Sequence, residues 1–134
     1  MMPQQKAEWV GRTVVSAIPY IGICVSEDQL KREVKRLNAS GDVQWCSKTG
    51  ARTNFFISKN DDKSICIVCM NKTYEGYTMQ EVQGLLVHEA VHVWQHVLVM
   101  MGEESPGIEI EAYAIQQIYI NLSCGYDKLT AVKP

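Results

Sequence analysis

Hydrophobic positions recur along this chain with two different periods, and the changes of period divide it into elements. The first eight residues are polar and read as a frayed end. From Trp9 to Val25 the chain is apolar but interrupted by Pro19 and Gly22, a pattern that fits a short helix or an extended segment. Ser26 then stands as an N-cap, with Gln29 three residues on to complete a capping box. Leu30, Val34 and Leu37 follow at helical spacing, and Gly41 ends that helix. Lys31, Arg32, Lys35 and Arg36 cover its outer face, which reads as solvated surface. Val43 to Cys46, Thr53 to Ser58 and Ser64 to Met70 are rich in aromatic and β-branched residues and predict strands. Turn residues between them, Ser47-Lys48-Thr49-Gly50 and Lys59-Asn60-Asp61-Asp62-Lys63, make an antiparallel meander of at most three strands.

The helical period returns at Thr78, which caps a second helix with Glu81 closing its box. From Met79 to about Met101 large apolar residues occupy nearly every face, the mark of a buried helix. His88, Glu89, His92, Gln95 and His96 lie in its middle, where a membrane span would make them very costly. Buried in protein, such groups need partners. Gly102 to Gly107 breaks the helix, and a last one runs from Ile108 to about Ser123, with Gly125 marking its end. Glu109 and Glu111 sit in its first turn, where the helix dipole favours carboxylates. No repeat, low-complexity tract or linker divides the 134 residues, so a single domain over 1–134 is expected.

Composition narrows the classes. A hydrophobic content of 46% against 21% charged residues is that of a folded globular chain. A formal net charge of -2 argues against a general nucleic-acid binder. The five cysteines are odd in number and irregularly spaced, which suits a reducing cytoplasm better than a secreted disulfide framework. Val14 to Val25 is too short to span a bilayer and reads as buried structure, with a signal peptide as the alternative. Cys66-x-x-Cys69 falls in a predicted strand, where residues three apart face opposite ways, so buried thiols are the better reading than a zinc knuckle.

The chemistry concentrates in His88-Glu89-Ala90-Val91-His92. Two histidines four apart on a helix stand one turn above each other, so both imidazoles can meet one metal ion. Glu89 beside the first is placed to handle a proton on water, the pattern of H-E-x-x-H zinc hydrolases. A catalytic zinc takes three protein ligands, so a third must be found. A histidine six residues after His92 is excluded, because that position is Leu98. His96 would stack three imidazoles along one straight helix, which do not easily converge on three corners of a tetrahedron. A glutamate from the following helix is left, either Glu109 or Glu111. These lie about 200° apart round a helix, so only one can face an ion.

His88 to His92 followed by Glu109-Ile110-Glu111-Ala112-Tyr113 resembles the gluzincin clan of zinc metallopeptidases, in its minimal single-domain form. Gln95 and the Glu-Ala-Tyr-Ala-Ile-Gln stretch are also similar to small uncharacterised phage and bacterial proteins of this type. The resemblance, over roughly residues 43 to 120, implies an α+β zincin-like fold: N-terminal helix, small antiparallel sheet, H-E-x-x-H helix and a ligand-bearing helix. It implies zinc held by His88, His92 and Glu109, with Glu111 the alternative that helical phase slightly favours. Tyr113 stands where many members carry aspartate. The implied activity is peptide-bond hydrolysis in the cytoplasm, with Glu89 as general base and His96, Tyr113 or Tyr119 as helpers at the oxyanion. A peptide or protein substrate would add a strand to the Ser64–Met70 edge. The alternatives are a zinc hydrolase of a non-peptide amide and a catalytically silent zincin fold serving as a structural or interaction module. No nucleic-acid or membrane partner is expected.

Overall fold

The computed structural model describes residues 5–10 and 19–131. Its most buried strands are its most β-branched ones. Strand β1 is Glu8–Trp9, β2 Tyr20–Cys24, β3 Ala39–Ser40, β4 Ala51–Ser58 and β5 Ser64–Met70, and the sheet order is β1-β2-β5-β4-β3. β2 and β5 pair in parallel, with Ile21 opposite Cys66 and Cys24 opposite Cys69, while the other pairings are antiparallel. Both central strands are buried on both faces, which explains their near-continuous apolar sequence.

Helix α1 (Glu27–Arg36) covers one face of the sheet; α2 (Met79–Met101) and α3 (Ile108–Thr130) cover the other. On the α1 side Leu30 packs with Cys24, Phe56, Ile65, Ile67 and Cys69. On the opposite side Ile21, Ile23, Cys66, Val68 and Met70 meet Leu86, Val93 and Val97 of α2 and Ile118 and Leu122 of α3. α2 lies across β4, while α3 lies across β2 and β1. Thr78 and Glu81 form the full capping box of α2, and Gly102 ends it in the left-handed conformation at φ 68°. Among the described residues no helix is long and apolar enough to cross a membrane.

The α+β class and the long helices agree with expectation, but the sheet is larger and mixed. Of the ambiguous apolar run from Trp9 to Val25, Trp9 belongs to β1 and Tyr20–Cys24 forms β2, a central strand preceding α1; residues 11–18 lie outside the described residues. Glu8 is a strand residue rather than part of a frayed end, and Gln5 Nε2 donates to the Leu129 carbonyl. Val43 to Cys46 is not a strand: Asn54 of β4 holds it instead, donating from Nδ2 to the Gln44 carbonyl and accepting from the Gln44 N–H. Ser26 accepts from the Gln29 N–H, but Gln29 turns its own amide to the Val25 N–H, so only half the expected box forms. α1 ends at Arg36, with Leu37 as its C-cap, before Gly41 is reached. α3 runs through Gly125 to Thr130. β5 is a central strand, so the expected substrate edge at Ser64–Met70 does not exist; both its sides are taken, by β2 and β4.

Gly125 continues its helix because it is the contact point with the sheet. A Cβ there would stand 2.7 Å from Val10 Cγ1 and 2.9 Å from Ile23 Cγ2. Gly125→Val should therefore destabilise the fold by about 2 kcal/mol through overpacking, read from the shift of the urea midpoint.

Candidate metal centre

Helical phase places the three polar groups of α2. At about 100° per residue, His88 and His92 lie within about 40° of each other, and Glu89 lies about 60° further round. The two histidines are exposed and Glu89 is buried, with only 3% of its surface accessible. α2 is thus not buried all round as its composition suggested; Val87 and Val99 are exposed as well. Its polar flank is open to water on one side and tucked against β4 on the other.

The imidazoles meet directly, with His88 Nε2 and His92 Nε2 3.0 Å apart. On the far side of the His92 ring, Nδ1 is 3.1 Å from Gln95 Oε1. A carboxamide oxygen can only accept, so this contact requires the hydrogen on Nδ1, which would leave the Nε2 lone pair facing His88. That is the tautomer a metal ligand needs, held by a residue one turn further along the same helix.

Glu89 lies beneath this pair. Burial pushes its carboxyl pKa up, and the neighbouring His92 and His88 pull it back in part. Thr53 of β4 stands close enough to ease the charged form, yet neither Thr53 Oγ1 nor Glu89 Oε2 has a hydrogen-bond partner. Glu89 Oε2 is thus a buried acceptor that a cation, an ordered water or a small turn of the Thr53 hydroxyl would satisfy. Ligand atoms of His88, Glu89 and His92 all lie within 4.8 Å of one another, and among the described residues this is the group suited to hold a metal ion. Two nitrogens on a tetrahedral zinc stand about 3.3 Å apart, given a Zn–N distance of about 2.0–2.1 Å. The observed 3.0 Å is a hydrogen-bond distance about 0.3 Å short of that spacing, so the two rings would open slightly, with loss of the shared hydrogen, to take such an ion.

The carboxylates expected from the next helix are not part of the group. Glu109 is exposed in the first turn of α3, and Glu111 Oε2 accepts a hydrogen bond from Trp94 Nε1 at 2.9 Å. The cause is again phase. Trp94 lies about 140° round α2 from the midpoint of the two histidines, so α3 docks on a different flank. The remaining expected helpers are also engaged elsewhere or turned outward. His96 stacks on Phe55 with ring centroids 4.2 Å apart, and burial lowers its pKa. The Tyr119 hydroxyl donates to Gln83, and Tyr113 is exposed. Thr53 and Phe55 were not anticipated. Their signal is the period-two alternation of β4, but it marks this flank only once α2 is known to lie over that strand.

The thiols behave as read from the sequence. Cys66 joins the core under α2 and α3, Cys69 the core under α1, and burial drives both pKa values far up. No family model matches the chain, and no curated protein or solved structure matches it either.

Glu89 generates a stability prediction. A carboxyl whose pKa is raised by folding holds its proton more tightly in the native state, so metal-free protein loses stability as pH rises through and above the ordinary carboxylate range. Glu89→Gln removes the buried charge. It should raise the melting temperature of the metal-free protein at neutral pH by a few degrees and flatten its pH dependence between acid and neutral pH.

Proposed function

We propose that this protein is a zinc-dependent hydrolase of peptide bonds. The observation that carries the reading is the pair of convergent His88 and His92 Nε2 atoms, 3.0 Å apart, above the buried and partly unpartnered carboxylate of Glu89. In this reading both histidines hold the ion through Nε2 and Gln95 keeps His92 in the ligand tautomer. Glu109 and Glu111 stand outside the group, so the described residues offer no third protein ligand besides Glu89, and water would take the remaining positions. When bound, zinc supplies Lewis acidity, drawing the pKa of water down towards about 7 and polarising a carbonyl. Glu89 accepts the proton from water and delivers it to the leaving amine. Its position between the helix and β4 keeps the carboxylate within reach of the histidines while excluding bulk water from one side.

The substrate would lie along β4 rather than β5. β3 pairs with β4 only at Ile57 and Ser58, so from Ala51 to Phe56 the outer edge has no ladder partner among the described residues. Val43–Cys46, held there through the Asn54 side chain, would move aside for a substrate strand. An extended peptide pairing with that edge runs beside the flank of α2 that carries the site, and backbone pairing reads any extended chain.

A second reading is favoured by one observation, the absence of Glu109 and Glu111 from the ligand group. Glu89 would then be the third ligand of a non-catalytic metal-binding module. One variant separates the two. For the peptidase, Glu89→Gln leaves zinc content near one per chain by elemental analysis and abolishes cleavage of a peptide library, a loss of at least about 100-fold. For the module, Glu89→Gln lowers zinc content and the wild-type chain cleaves nothing.

Both readings share a further expectation. His88→Ala or His92→Ala should lower zinc content and remove the rise in melting temperature that zinc gives the wild type, since a ligand bound only by the native state stabilises it.

A further inference from the structure

The outer face of α3 has a pattern that neither the metal centre nor the core uses. From Ala112 to Tyr126 the helix carries no charged residue at all, though much of it faces water. Ile110, Tyr113, Gln117, Ile120 and Cys124 are all exposed, Ile110 at 62% and Tyr113 at 64%. Their spacing is three, four, three, four, that of the seam by which one helix interlocks with another. This seam lies about 120° round α3 from the stripe that meets the sheet and α2, so it can be covered without disturbing the fold. Solvated helix faces normally carry charge, and this one does not.

We propose that this seam packs against the same seam of a second copy of the chain, antiparallel, about a two-fold axis at Gln117. Because the face is neutral, it meets itself without like-charge repulsion. Gln117 Nε2 donates to Asn121 Oδ1 within the helix, which leaves Gln117 Oε1 and the Asn121 amide hydrogens to bond across the axis. The direction follows from the ends of the helix. Glu103, Glu104, Glu109 and Glu111 surround its start, whereas Asp127 and Lys128 cancel near its finish. A parallel pair would set the acidic ends and the helix dipoles side by side, whereas an antiparallel pair opposes the dipoles and sets each acidic end beside the neutral Asp127–Lys128 end. Such a seam is about 21 Å long and buries on the order of 1,000 Å² in total, near the lower limit for a specific interface. The dimer is therefore weak and reversible.

Sedimentation equilibrium of the full chain, from micromolar to near-millimolar concentration, should show monomer and dimer in exchange. Gln117→Glu is an exposed change that places two carboxylates at the axis; it should weaken dimerisation at least about ten-fold at neutral pH with an unchanged circular dichroism spectrum. Ile120→Glu should abolish the dimer. Antiparallel packing also brings position 110 of one copy beside Cys124 of the other. Diamide, which takes up the two hydrogens as the thiols join, should cross-link Ile110→Cys as a covalent dimer and leave the wild type uncross-linked. A chain that stays monomeric throughout overturns the proposal, as does a dimer that survives Ile120→Glu. Cross-linking of the wild type through Cys124 alone would show parallel packing and overturn the proposed arrangement.

Discussion

The phase of one helix governs this molecule. α2 meets the core, α3 and β4 and leaves one flank to water, and a rotation of about 100° per residue assigns its side chains among these four surroundings. Leu86, Val93 and Val97 go to the core, Trp94 to α3, Glu89 and His96 to β4, and His88, His92 and Gln95 to water. A shift of a single residue would bury an imidazole and expose a core valine. The capping box at Thr78 and the left-handed Gly102 fix where the helix begins and ends, but the buried apolar stripe sets its rotation.

Within that frame the cost of burying Glu89 stands out. A carboxylate with an unpartnered oxygen in the interior costs kilocalories unless something compensates it. Elsewhere the buried polar side chains are satisfied in full view: Asn54 by the Gln44 backbone, Ser58 by the Leu37 carbonyl, Gln29 by the Val25 N–H. The contrast marks the flank of α2 against β4 as the place where the fold gives up stability, beside the two imidazoles that converge.

The parts of this arrangement that were legible in the sequence are those settled within one element. The i,i+4 meeting of His88 and His92 and the cap at Thr78 follow from local helix geometry, and the opposite orientations of Cys66 and Cys69 follow from the pleat. What depended on neighbours was not legible. Ser64–Met70 reads as a strand but not as a central one, because its parallel partner lies across α1 in the chain and inside an ambiguous apolar run. The roles of Glu109 and Glu111 required knowing on which flank of α2 the last helix docks, and spacing along the chain contains no such information. Gly125 looked like a stop signal because glycine usually ends helices; here close approach to Val10 and Ile23 is the reason for it.

Asn54 has a consequence for how the sheet can move. Its side-chain amide gives and receives one hydrogen bond with Gln44, imitating a peptide group of an adjoining strand. The stretch from Val43 to Cys46 is therefore fastened to β4 by a side chain and not by a backbone ladder. Moving it off β4 breaks two hydrogen bonds at a single amide and unseats Val43, Trp45 and Cys46 from the α1-side core, with no ladder to unzip.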